Sequence, residues 1–192
     1  MSFKRARCAH CKGKLEAERP GQKIHAECAS DWIEAQKAKE ARMQEKAEKA
    51  RIRVAKEAIK TIPQLIKEAQ VEFNAYIRAR DAGKPCICCG RGEAQGYGLA
   101  AHGFDCGHFR STGSASHLRF NEDNAHRQLV ICNRHGAGRA VDYRMGLIHR
   151  IGLERVDALE RNNKPHHWTR EELREIKATY REKRKELLKK SE

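Results

Sequence analysis

The stretch FDCGHFRS, residues 104 to 111, places Asp105, Cys106 and His108 within four positions. Three roles are open to the histidine: a ligand of a structural metal, a general base that activates water, or a polar residue closing a strand. A neutral imidazole, with its ordinary pKa of about 6.5, suits the second role. The eight cysteines make the first role a serious competitor. Cys8, Cys11, His25 and Cys28 follow the pattern C-x2-C-x13-H-x2-C, two knuckle-like pairs that can close a tetrahedron around zinc. All four positions of that tetrahedron are filled by protein, so it reads as a structural staple. A second group starts from Cys86 and Cys89, with Cys88 between them, and is joined by Cys132 far downstream. Its fourth ligand is open among His135, Cys88, Cys106 and His108.

Such groups need elements to hold them, and the apolar supply is thin. The chain has 192 residues, 39% hydrophobic against 34% charged, with a mean hydropathy of −0.85, so any core is small and needs staples. A formal charge of +14 favours a polyanionic partner, because each Lys or Arg set against a phosphate releases condensed counterions. The N-terminus carries no signal-like segment, and no apolar run reaches the roughly eighteen residues of a membrane span. The expected setting is therefore the cytoplasm, without a membrane partner. Disulfides are rare there, and cysteines read as metal ligands.

The chain divides into four parts. Residues 1–29 form a zinc-binding arm. Residues 30–60 are rich in Ala, Lys, Glu and Arg with no Gly or Pro, and predict a charged helix capped by Ser30 or Asp31, either a solvated spacer or one strand of a coiled coil. Residues 61–152 hold a packing helix, whose stripe Leu65, Ile66, Ala69, Phe73, Tyr76 and Ile77 can dock on a core, followed by a small mixed fold. Residues 153–192 are helical again: Leu153, Val156 and Leu159 form one stripe, NNKP breaks the chain, and Thr169 with Glu172 makes a capping box. Within the mixed fold GFDCGHF reads as a strand, STGSAS as a loop and HLRF as a short strand. Asn124 then precedes a helix bearing Cys132 and Asn133. The fold class is α+β.

That order of strand with His, loop, strand, Asn and metal-bearing helix resembles the ββα-metal, treble-clef-like layout of HNH nucleases. The stretches KPCICCG, FDCGHFRSTGSASHLRFNEDNAHRQ, CNRHGAG and YRMGLIHRIG, with the tail HHWTREELREIKATYREK, resemble the lambdoid phage NinG (Rap) recombination endonucleases over roughly residues 64 to 185. The resemblance implies a structure-specific endonuclease that cuts Holliday junctions and displacement loops, with structural zinc and a catalytic magnesium or manganese ion. It implies His108 as general base, Asp105 and Asn133 as holders of the divalent cation, and Asn124 as the residue that orients loop and base. The same order is similar to phage endonuclease VII resolvases. Branched DNA and phage or host recombination proteins are the implied partners, and the two-fold symmetry of a junction suits a homodimer.

The chain departs from the family's pattern at Leu129, where a cysteine stands three residues before Cys132, and at Cys106, where Ala is usual. Strict strand alternation puts Asp105 and His108 on opposite faces unless Gly107 forms a bulge. Without the bulge, Cys106 and His108 share a face and become candidates for zinc beside Cys86 and Cys89. Arg110, Arg119, Arg127 and Arg134 surround the expected site and are candidates to hold the scissile strand. His117 and His126 read as surface histidines or phosphate contacts. The competing function is a non-catalytic, zinc-stapled DNA-binding or recombination adaptor protein.

Overall fold

A computed structural model describes residues 7–92 and 103–190; residues 1–6 of the expected arm and 191–192 of the last helix lie outside them. The chain separates into two compact units, Met1–Lys60 and Thr61–Glu192.

In the first unit a knuckle precedes one long helix. Cys8 N–H donates to the Gly13 carbonyl, Ala9 N–H donates to the Lys23 carbonyl, and Arg7 and Lys14 form a single antiparallel bridge. Cys8, Leu15 and Cys28 are buried together with Ile24 against them, a core too small to stand without a cross-link. Helix α1, Ala29–Ala58, buries none of its residues. Its helicity rests on good helix formers and on pairs such as Lys49–Glu45, and Ile33, Met43, Ile52, Val54 and Ile59 stay exposed. The expected caps do not form. The helix starts at Ala29, so Ser30 and Asp31 sit inside its first turn, where Asp31 complements the positive end of the helix.

The second unit is mixed α and β, mostly helical with one two-stranded sheet. Helix α2, Ile62–Arg80, opens with a reciprocal capping box between Thr61 and Gln64, with Pro63 in its first turn. Its stripe of Leu65, Ala69, Phe73, Tyr76 and Ile77 is buried. Strands β1, Phe104–His108, and β2, Ala125–Leu129, pair antiparallel in a regular register with Gly107 opposite His126. Two strands alone are marginal in water, and here helices hold them. Helix α5, Arg170–Lys189, packs along α2, with Tyr180 edge-on to Phe73 at 4.8 Å and Lys177 paired to Glu68 at 2.6 Å. Helices α3, Ala140–Ile151, and α4, Leu153–Arg161, form a second core from Tyr143, Leu147, Val156 and Leu159. Leu153 stays exposed, so only part of the expected stripe is used.

Two local expectations are corrected. HLRF is not a strand: Ser116–Leu118 is a turn of 3-10 helix, and Leu118 and Phe120 enter different cores. The segment after Asn124 is not yet a helix. It runs first as β2 and then enters a π-helical turn, Ile131–His135, which carries Cys132 and Asn133.

Candidate functional site

Each knuckle gathers four groups whose ligand atoms lie within 4.8 Å of one another: Cys8, Cys11, His25 and Cys28 in one, Cys86, Cys88, Cys89 and Cys132 in the other. A tetrahedral zinc with bonds of about 2.3 Å sets its sulfurs about 3.8 Å apart, so both groups fit that ion. In the first, His25 donates from Nε2 to the Lys14 carbonyl at 2.8 Å, which leaves the Nδ1 lone pair facing Cys11 Sγ at 3.3 Å. In the second, Cys132 Sγ stands 3.7 Å from Cys89 Sγ, and Cys86 Sγ is 3.5 Å from Cys88 Sγ. The hydrogen bond from Cys88, with backbone donation from Leu129, holds the Cys86 thiol well below its ordinary value, at about 4, against the opposing effect of burial. The fourth group is Cys88. His135 is exposed on the π-helical turn outside the cluster, and neither Cys106 nor His108 belongs to it.

The hairpin settles which way the residues of FDCGHFRS point. No bulge interrupts β1: Gly107 pairs regularly, and a Cβ there would come within 2.9 Å of Gln128 Cβ. Asp105 and His108 therefore lie on opposite faces. Cys106 is buried in the α2 core, and His108, on the same face, stands 6.1 Å from the Phe73 ring. The imidazole donates from Nε2 to the Arg119 carbonyl at 3.1 Å, so the neutral ring keeps its lone pair on Nδ1. Burial pushes its pKa below the ordinary value, which favours the neutral form.

Asn124 is fully buried immediately before β2. Its Oδ1 accepts from Arg110 N at 2.8 Å, and its Nδ2 donates to the carbonyls of Arg110 at 3.0 Å and Leu118 at 3.1 Å. One amide thus pins the two ends of the loop that follows His108. On the other face of β1, Asp105 meets the turn after β2. Its Oδ2 accepts from Asn133 Nδ2 at 2.9 Å, and Arg134 grips both carboxylate oxygens at 2.8 and 2.9 Å. The Arg134 contact is the main reason that the Asp105 carboxyl sits below its ordinary pKa.

Three of the four arginines expected to meet DNA are engaged inside the fold. Arg110 donates to the carbonyls of Leu159 and Asn162 and to Asn163 Oδ1, filling the acceptors left open at the end of α4. Arg119 donates to the Thr112 carbonyl and Gln70 Oε1. Arg127 is buried, with its guanidinium 3.7 Å from the Phe104 ring centroid. Arg134 alone of the four is exposed. His126 is buried, and His117 binds the Asn162 carbonyl at 2.7 Å.

Sequence reading missed the charge network that fixes the hairpin. Asp81, fully buried at the end of α2, accepts from Arg80 at 2.8 Å, Lys84 at 2.9 Å and Arg127 N at 3.1 Å, and lies 3.5 Å from His126. Burial pushes the Asp81 carboxyl up, but His126, Arg80 and Lys84 outweigh it and hold the group well below the usual carboxylate range. Tyr143 was also missed; from α3 it donates to the Gly107 carbonyl at 2.9 Å. No pattern of spacing marks either residue.

Comparison with known proteins gives one consistent result. The family described as Bacteriophage Lambda NinG protein matches residues 1–192. Protein ninG of Escherichia phage 933W is 46% identical over 72% of this chain and 66% of its own length. Protein ninG of Escherichia phage lambda is 46% identical over 71% of this chain and 64% of its own, and that of Salmonella phage P22 is 44% identical over the same shares. The match thus spans just under two thirds of each of these relatives. No solved structure gives a significant match. Among the described residues, no helix is long and apolar enough to cross a membrane.

Proposed function

The chain belongs to the NinG family of lambdoid phages, and from that premise we propose that it is a metal-dependent endonuclease of HNH type that cuts branched recombination intermediates, Holliday junctions and displacement loops among them. The observation that carries the reading is the meeting of Asp105 with Asn133. A strand and a turn 28 residues apart bring a carboxylate and a carboxamide to 2.9 Å, at the hairpin whose other face carries an anchored histidine. Carboxylate and amide oxygens are hard donors, the set that magnesium or manganese takes. What a divalent cation supplies there is positive charge against the phosphoryl oxygens and the leaving 3′ oxygen.

The residue roles come from the family reading; the regular register of β1 sets His108 on the face opposite Asp105, so base and cation would act from two sides of the hairpin. His108, anchored through Nε2, takes the proton of the attacking water on Nδ1, and its burial keeps it neutral for that task. Asn124 holds the loop after His108 in place from both ends. Structural zinc held by Cys86, Cys88, Cys89 and Cys132 would keep these parts in register. Branched DNA is the partner in this reading, in the host cytoplasm beside phage or host recombination proteins, and a symmetric dimer would place one centre on each of two paired strands.

The test is His108→Gln, assayed on matched junction, fork and linear duplex with magnesium or EDTA. Strand cleavage should fall by about 10² or more, while zinc content, melting temperature and junction affinity stay near those of the parent. The acid limb of the parent's rate should lie below the ordinary imidazole value, because burial lowers the pKa of His108. Unchanged cleavage by His108→Gln would remove the histidine as base. A parent that binds junctions but never cuts them would favour the adaptor reading instead.

A further inference from the structure

One contact competes with a cation at Asp105. The carboxylate of Asp105 is already occupied: Arg134 donates from Nε to Oδ2 at 2.8 Å and from Nη2 to Oδ1 at 2.9 Å, while Asn133 donates to Oδ2 at 2.9 Å. Arg78 of α2 adds a further positive pull on the same group. A dication cannot share both oxygens with a guanidinium fork, since the geometry is filled and the charges repel.

The two partners differ sharply in exposure. The side chain of Arg134 is 65% exposed and that of Asp105 only 19%. An ion pair with one partner so open is screened by solvent, so it can be exchanged for a competitor of similar shape and charge. A phosphodiester is such a competitor, because its two free oxygens take the same two-pronged donation as a carboxylate. Arg134 also follows Asn133 directly, in a π-helical turn, a local irregularity often found where function requires an unusual side-chain direction.

We propose that Arg134 is an exchangeable latch: without DNA it closes Asp105, and a phosphate of the bound strand draws it away, opening the carboxylate to the divalent cation. This inference rests on the reading of Asp105 as a cation ligand. It goes further by coupling two binding events. If a phosphate raises cation affinity by removing the latch, the cation must raise DNA affinity by the same factor. The free protein is then a poor binder of divalent cations, and the centre assembles on substrate.

The experiment measures manganese binding to the full, zinc-loaded chain by the electron paramagnetic resonance signal of free Mn²⁺. It uses the His108→Gln background, so that DNA stays uncut. Without DNA, adding Arg134→Gln should tighten manganese binding about fivefold, the size of an exposed ion pair. Junction DNA should tighten binding to the protein that retains Arg134 by a similar factor and should do far less once Arg134→Gln is present. Asp105→Asn is the control for the ligand assignment. If Asp105→Asn abolishes manganese binding but Arg134→Gln leaves it unchanged or weaker, the latch is wrong and the ligand assignment stands. If Asp105→Asn leaves manganese binding as it was, the ligand assignment fails, and the latch fails with it.

Discussion

Cys8, Cys11, His25 and Cys28 come from one short stretch, whereas Cys132 joins Cys86, Cys88 and Cys89 across 43 residues from its nearest partner. The first closure is local, and almost nothing but the cluster itself holds its unit's small core, with Cys8, Leu15 and Cys28 as its buried members. The second closes a long loop, a larger entropic cost, and it does not act alone. Ile87 N–H bonds the Arg127 carbonyl, the buried Asp81 network ties α2 to β2, and Tyr143 ties α3 to β1. One knuckle is a self-contained organiser. The other is one of several fasteners on a shared hairpin.

The strongest way to break that contrast is to remove one ligand from each. Cys132→Ser should release one zinc per chain, expose β2 to hydrogen exchange and abolish cleavage, because zinc binding and folding are coupled. Cys8→Ser should also release one zinc, yet disorder only the first unit and leave strand cleavage in place. Identical melting and exchange changes in the two variants would end the distinction. Within the second cluster, Cys88→Ser should lose the zinc that His135→Ala keeps; the reverse would restore His135 as the fourth ligand.

A smaller effect is expected at Asp81. Asp81→Asn leaves Arg80, Lys84 and His126 without their shared carboxylate and should cost about 3–5 kcal/mol, read as a lower melting temperature of the second unit alone. The pH dependence has a definite sign. The folded pKa of Asp81 is depressed, so its stabilisation is complete above the ordinary carboxylate value and drains away as pH falls toward the folded value. His126, kept neutral by burial, adds a loss of stability that begins as pH drops below its ordinary pKa of about 6.5. Acid melting curves in which parent and Asp81→Asn lose stability in parallel would contradict this. The smallest change is Tyr143→Phe, which removes the side-chain donor to the Gly107 carbonyl while the strand pairing with His126 stays, and should cost about 1 kcal/mol with zinc retained.

The same contrast explains what could be read in the sequence. The first cluster was legible in full, because its ligands are close in sequence and their spacing is the geometry. In the second, the fourth ligand depends on how Cys86–Cys89 turns against β2, a long-range relation that spacing does not encode. AHRQL hid as part of a helix because β2 is buried on both faces, so the alternation that marks a half-exposed strand is missing. HLRF misled in the opposite way: Leu118 and Phe120 alternate like strand residues but serve two separate cores. Arg110, Arg119 and Arg127 read as DNA contacts from their charge. An irregular loop and a helix end have many carbonyls to satisfy, and these arginines supply donors to them. For Asp105 and His108 the strand period offered opposite faces, but a bulge at Gly107 was equally open until the regular pairing of Gly107 with His126 closed it.

Gly146 of α3 lies flush against the second knuckle: a Cβ there would overlap the Ile87 carbonyl oxygen, 2.9 Å from its carbon. The obstacle is main chain rather than a flexible side chain, so no rotamer change relieves it. The consequence is evolutionary. Drift at this position is closed to every side chain, alanine included, unless the cysteine loop shifts as well, and such a shift would move the sulfurs. Inheritance of the metal cluster is thereby tied to inheritance of a glycine that ligates nothing, and among phage descendants the two should be kept or lost together.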